Sequence, residues 1–212
     1  MSERQAGLEA ILKQAPVVPV LVIDDVALAV PLAKALVEGG LPVLEITLRT
    51  KAAPDCIRAI RAEVKNAIVG SGTVLDAQGL KLSEDLGCAF AVSPGATPAL
   101  LDAAKGSKTP LLPASRSPSE TMFLLEKGYA LQKFFPAEQS GGAAYLGALA
   151  SPLPQVRFCP TGGITADIAP SYLKLANVIT VGGSWMAPKA LLVAKDWAAI
   201  TKLSAAAAGL KA

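Results

Sequence analysis

The feature that most constrains this chain is a hydrophobic period that changes repeatedly along it. Eight short apolar runs rich in β-branched residues, at 17–23, 43–49, 67–74, 88–95, 110–115, 131–136, 156–163 and 178–184, alternate with longer segments of helical spacing. Near-continuous apolar strands of this kind belong to a parallel sheet that helices cover from outside. The intervening helices are expected at 26–38, 52–64, 98–105, 118–127 and 143–150, several ending in Gly or Lys-Gly. Asp24 or Asp25, and Ser117, stand where N-caps belong. An extra helix over 2–14 precedes the first strand, and an Ala-rich closing helix over 190–210 follows the last. Eight βα units in 212 residues average about 26 residues each, near the lower end for a closed eight-stranded barrel. The expectation is an α/β fold, a (β/α)8 TIM barrel with an extra N-terminal helix, as a single domain over residues 1–212. An open doubly wound sheet is the alternative, because periodicity alone does not show closure.

Composition excludes several chemistries. The chain has no histidine, which removes Ser-His-Asp, Cys-His and His-based zinc mechanisms. Proton transfer must then use Glu, Asp, Lys, Tyr, Cys or water, and a covalent step needs a nucleophile that works without imidazole. Cys56, Cys88 and Cys159 are odd in number and lack CxxC spacing, so buried free thiols are expected rather than disulfides or a metal site. The net charge of +3 is scattered, giving no nucleic-acid footprint while leaving an anionic small molecule compatible. The N-terminal segment has alternating charge and no apolar core, and no window nears 18 uninterrupted apolar residues, so the expected setting is the cytoplasm with no membrane partner.

Polar residues recur where the strands should end: Glu45, Thr47 and Arg49 on the second, Thr73 on the third, Lys133 on the sixth, Thr161 on the seventh and Ser184 on the eighth. In a barrel these ends meet at one mouth, where active sites of that architecture lie. In VLEITLR, period-two alternation sends Glu45, Thr47 and Arg49 to one face and Leu44, Ile46 and Leu48 to the other. A structural Glu–Arg ion pair is the plainer reading of that strand. In LQKFFPAE, Lys133 and Phe135 share a face among apolar neighbours. A lysine in such a pocket loses the hydration that favours its ammonium, and the free amine becomes a nucleophile suited to a Schiff base. A snorkelling surface lysine is the alternative for this strand taken alone. Gly162-Gly163 and the Gly-Gly before Ser184 fall at the ends of strands seven and eight, whose following loops often bind phosphate in barrels.

These residues resemble one family. PVVPVLVI, VLEITLRT, GTVLD, SPG, KFFPAE, RFCPTGGI and GGSW run nearly end to end, and together they look like the class I 2-keto-3-deoxy-6-phosphogluconate (KDPG) and 4-hydroxy-2-oxoglutarate (KHG) aldolases. The resemblance implies cleavage of the phosphorylated keto acid to pyruvate and glyceraldehyde 3-phosphate, in the Entner–Doudoroff route, with no cofactor and no metal. It implies Lys133 as the Schiff-base lysine, Glu45 as the acid/base, and Arg49 and Thr73 as holders of the pyruvate carboxylate. Pro94, Phe135 and Thr47 would shape the pocket, and Thr161, Gly162, Gly163 and Ser184 would take the phosphate. A homotrimer is implied as well. Departures from the family pattern are Ala114, Ser115, Arg116 and Ser117 after Pro113, Gln132 before the lysine, and Ser71 in GSGTV. The rival functions are 4-hydroxy-2-oxoglutarate cleavage, oxaloacetate decarboxylation, and a non-catalytic or engineered barrel scaffold.

Overall fold

The computed structural model describes residues 3–210. Helix α1 (Glu3–Leu12) leads into β1 (Val17–Leu21), α2 (Val26–Glu38), β2 (Val43–Thr47), α3 (Ala53–Glu63), β3 (Ile68–Gly72), α4 (Ala77–Asp85) and β4 (Ala91–Val92). Then follow α5 (Pro98–Gly106), β5 (Leu111–Leu112), β6 (Ala114–Ser115), α6 (Pro118–Glu126), β7 (Leu131–Phe134) and α7 (Gly142–Ala148). The chain closes with β8 (Arg157–Pro160), α8 (Ala169–Leu173), β9 (Val181–Gly183), α9 (Lys189–Ala194) and α10 (Trp197–Ala208). The expected N-terminal helix is present as α1; residue 2 of its expected span lies outside the described residues.

All strand pairs are parallel, and they form a curled six-stranded sheet in the order β5-β4-β3-β2-β1-β9 and a three-stranded sheet β6-β7-β8. Isolated bridges between Phe158 and Val178 and between Thr161 and Gly182 link β8 to the β9 segment. The expected strand 110–115 is divided at Pro113, whose nitrogen has no hydrogen to give to a ladder. Most expected strands also ran too far at their C-terminal ends. Ile23 and Val74 are buried yet lie beyond β1 and β3, so the apolar pattern reports burial, not pairing.

The expected helix over 190–210 is two helices. Lys195 turns into the left-handed region at φ 54°, and the Asp196 carboxylate then accepts the Ala199 N–H at 3.0 Å, starting α10 afresh. Of the two candidate caps on α2 it is Asp25 that accepts the Ala27 N–H. Ser117 and Glu120 form a reciprocal capping box on α6.

Strand phase divides the apolar residues into an inner and an outer set. Val18, Val43, Phe90, Val92, Leu112, Leu131 and Cys159 pack inside the curved sheets, with Leu8 and Leu12 of α1 against them. Leu44, Ile46, Phe134 and Phe158 pack outward with the helices. Gln5 fixes α1 in place, its Oε1 accepting the Leu131 N–H at 2.9 Å and its Nε2 donating to the Leu111 carbonyl at 3.4 Å. The helix thus covers the end where the strands begin, leaving the opposite end for polar groups.

Candidate functional site

Register brings the inward polar residues together. Glu45 on β2 lies level with Val20 of β1 and Gly70 of β3. Lys133 on β7 lies level with Ala114 of β6 and Cys159 of β8. Both charged side chains are buried, Glu45 at 4% exposure and Lys133 at 5%. Lys133 Nζ stands 3.5 Å from Glu45 Oε1 and 5.2 Å from the centre of the Phe135 ring. A charge-assisted hydrogen bond at full strength is about 2.7–2.9 Å, so the amine is held near the carboxylate without being clamped to it. Burying either group unpaired would cost several kcal/mol, which is why the two occur as a pair.

Above this pair lies a cavity of about 210 Å³ lined by Val20, Arg49, Thr73, Pro94, Lys133, Phe135 and Thr161. Thr73 reaches it from an unusual backbone position, φ 60°, which β-branched residues rarely adopt. Arg49 is exposed at the turn after β2. Thr161 is buried, and its Oγ1 makes no conventional hydrogen bond, the weakly interacting Cys159 thiol being its polar neighbour. Burial pushes that thiol up to about 12, so Cys159 stays neutral beside Lys133 and Glu45.

Other expected site residues lie elsewhere. Thr47 is fully buried and donates its hydroxyl to the Leu21 carbonyl at 2.9 Å, tying β2 to β1 rather than lining the cavity. Gly162 and Gly163 form a left-handed turn after β8, with φ 106° and 75°. Ser184 is exposed beyond β9 and borders an apolar cavity of about 440 Å³ that shares Val20 with the Lys133 cavity and lies between the β1 and β9 loops and helices α2 and α9.

Sequence reasoning missed Gly72. A Cβ at that position would stand 2.2 Å from Glu45 Oε1, so only glycine leaves the carboxylate its present place. Gly182 likewise makes room for Thr161, whose Oγ1 would meet an added Cβ at 2.3 Å. The signal was present as glycines alternating with other residues on β3 and as the Gly-Gly pair on β9, but nothing local says which distant side chain needs the space.

Among the family departures, Gln132, Ser115 and Ser71 are packing features. Gln132 points outward, where its Oε1 accepts the Ser115 hydroxyl at 2.7 Å and its Nε2 donates to the carbonyls of Thr121 and Tyr129 at 3.1 and 2.8 Å. Ser71 donates outward to Ser83 Oγ at 2.6 Å. Arg116 lines a cavity of about 270 Å³ that shares Pro94 and Phe135 with the Lys133 cavity.

With this geometry in hand, comparison with known proteins is specific. The family model for KDPG and KHG aldolase matches residues 8–203. The chain belongs to the KDPG and KHG aldolase family. Among curated relatives, the 2-dehydro-3-deoxy-phosphogluconate aldolase of Pseudoalteromonas atlantica is 51% identical over 204 residues, covering 94% of this chain and 95% of that protein. Two solved KDPG aldolases superpose with a TM-score of 0.92. The Zymomonas mobilis enzyme with 3-phosphoglycerate is 47% identical over 96% of each chain. The Legionella pneumophila enzyme, with pyruvate captured as a covalent carbinolamine, is 41% identical over 95% of this chain and 98% of its own. Within the KDPG and KHG aldolase family, the buried lysine–glutamate pair is the feature of this chain that bears on chemistry.

Proposed function

We propose that this chain is a class I aldolase that splits 2-keto-3-deoxy-6-phosphogluconate into pyruvate and glyceraldehyde 3-phosphate through a Schiff base on Lys133. The observation that carries the reading is the buried Lys133–Glu45 pair, 3.5 Å apart, facing a cavity bordered by Arg49 and Thr73. The covalent pyruvate of the Legionella relative supports the same chemistry. The Lys133 amine attacks the C2 carbonyl of the keto acid, and loss of water leaves an iminium. Glu45 then takes the proton of the C4 hydroxyl, the C3–C4 bond breaks, and its electron pair enters the iminium to give an enamine. Glyceraldehyde 3-phosphate leaves, a proton returns to C3, and water releases pyruvate from the lysine.

Arg49 and Thr73 suit the carboxylate of the keto acid. Thr161 lines the Lys133 cavity, its hydroxyl buried and without a conventional hydrogen bond; turned into the cavity, it suits a polar group of the substrate chain rather than the phosphate. The phosphate is assigned to Ser184 and to the turn at Gly162 and Gly163, whose amides donate to no acceptor among the described residues. Consecutive free N–H groups in such a turn make an anion-binding nest.

We extend the reading to the whole molecule: a single domain over residues 1–212, closed as a (β/α)8 barrel, assembled as a homotrimer in the cytoplasm. The bridges from β8 to the β9 segment, and the single residue Pro113 that separates β5 from β6, support closure. Exposed Val22 and Val193 in the lining of an apolar cavity support self-association. Light scattering tests the trimer, with an expected mass of three times the 21.6 kDa chain.

The catalytic assignment is tested by substitution. Lys133→Ala and Lys133→Arg should both abolish cleavage, since a guanidinium keeps the charge but is no nucleophile. Near-normal cleavage by either variant would refute it.

A further inference from the structure

Glu138 makes contacts that the chemistry above does not use. It follows β7 in a short 3-10 turn, Glu138–Ser140. Its backbone N–H donates to the Gly162 carbonyl at 3.1 Å, and the N–H of Ala137 donates to the Thr161 carbonyl at 2.8 Å. Its Cβ lies 2.8 Å from where a Cβ on Gly163 would stand, so the Gly162–Gly163 turn rests against this side chain. Its carboxylate accepts the hydroxyl of Tyr172, a fully buried residue of α8. Helix α8 is the element that the Gly162–Gly163 turn leads into. Glu138 therefore holds the turn at its start through the backbone and, through its carboxylate, holds the helix that follows it. Burial, reinforced by Glu138, raises the Tyr172 phenol above its ordinary value, so it remains a proton donor to the carboxylate.

Two adjacent glycines have wide conformational freedom. Their amides point together at an anion only when the surrounding structure removes that freedom. A carboxylate this close to a phosphate subsite would also be unfavourable by charge alone. Its commitment to a buried phenol identifies it as a brace, not a ligand.

We propose that Glu138, held by Tyr172, is a positioning residue of the phosphate subsite: it keeps the Gly162 and Gly163 amides in the orientation that receives the phosphate of the aldehyde half. This rests on the assignment of phosphate to that turn. The substrate preference for a phosphorylated over an unphosphorylated aldehyde then depends on a pair of residues that touch neither.

The test compares glyceraldehyde 3-phosphate with glyceraldehyde as acceptors for pyruvate in the condensation direction. Glu138→Ala, Glu138→Gln and Tyr172→Phe are measured beside the unaltered chain. Glu138→Ala and Tyr172→Phe should raise KM for the phosphorylated acceptor about 10-fold or more, the order expected for loss of one hydrogen bond to a charged group. Both should leave kcat, the constants for glyceraldehyde and borohydride trapping of pyruvate unchanged. Glu138→Gln should behave as the unaltered chain, because its amide oxygen still accepts the Tyr172 hydroxyl. Because Glu138 is exposed, its variants remain informative if the buried Tyr172→Phe change destabilises the fold. Equal effects on both acceptors, no effect, or a Glu138→Gln variant as impaired as Glu138→Ala would overturn the proposal. If the unaltered chain shows no preference for the phosphorylated acceptor and Ser184→Ala changes nothing, the phosphate assignment itself fails, and the brace fails with it.

Discussion

At the scale of single residues, the distance between Glu45 and Lys133 is controlled by Gly72. Its missing Cβ is the space that Glu45 Oε1 occupies, and an alanine there would also press on Glu45 Cγ at 2.8 Å. Gly72→Ala should swing the carboxylate away from Lys133 and lower kcat by about 10²-fold, the cost of displacing a reacting group by roughly 1 Å. Steady-state kinetics checks this, with circular dichroism to show that the fold persists. An unchanged kcat would mean that Glu45 does not need its present place. Glu45 and Lys133 were legible in the sequence because alternation within their own strands turns them inward. Gly72 was not, because its role exists only against a side chain from the neighbouring strand. Thr161 was legible as a polar strand end, but its place in the lining of the Lys133 cavity, bridged to Gly182, needed the register of β8 with β9.

At the scale of elements, β6, β7 and α6 are joined by a polar network in place of apolar packing. Gln132 satisfies both of its amide groups there, and Ser115 also lies 3.1 Å from the Thr121 hydroxyl. Gln132→Ala should destabilise the fold by about 1–3 kcal/mol, because it strands buried partners. Adding Ser115→Ala should cost less than the sum of the single changes, a coupling that urea denaturation of the four chains measures. Strict additivity would mean that the two side chains do not act as a unit. Helix boundaries were well marked where a cap fixed them, as at Asp25 and at Ser117 with Glu120. The break at Lys195 was hidden because the residues on both sides are helix formers, and only the Asp196 cap separates α9 from α10.

At the scale of the whole molecule, alternation of strands and helices revealed the parallel α/β architecture, since burial on both strand faces is written directly into composition. How the strands join was less legible, because Pro113 and the short ladders of β4, β5 and β6 interrupt hydrogen bonding without interrupting the apolar pattern. The same burial makes stability depend on alkaline pH. Burial pushes Cys56 and Cys88 up to about 11 and Cys159 up to about 12, from 9.0. The folded state keeps these thiols protonated while an unfolded chain ionises them near 9.0. Their contribution is therefore whole below pH 9 and is lost as pH rises through about 11 to 12. The urea midpoint should fall over that window, and less steeply in Cys159→Ala; an identical slope in that variant would refute the role of the buried thiol. The central claim, that the Lys133 amine is the nucleophile, is tested most directly by treating the protein with pyruvate and borohydride and mapping the product by peptide mass. The account predicts one reduced pyruvyl group per chain, on Lys133. A label on any other lysine, or none at all, would contradict it.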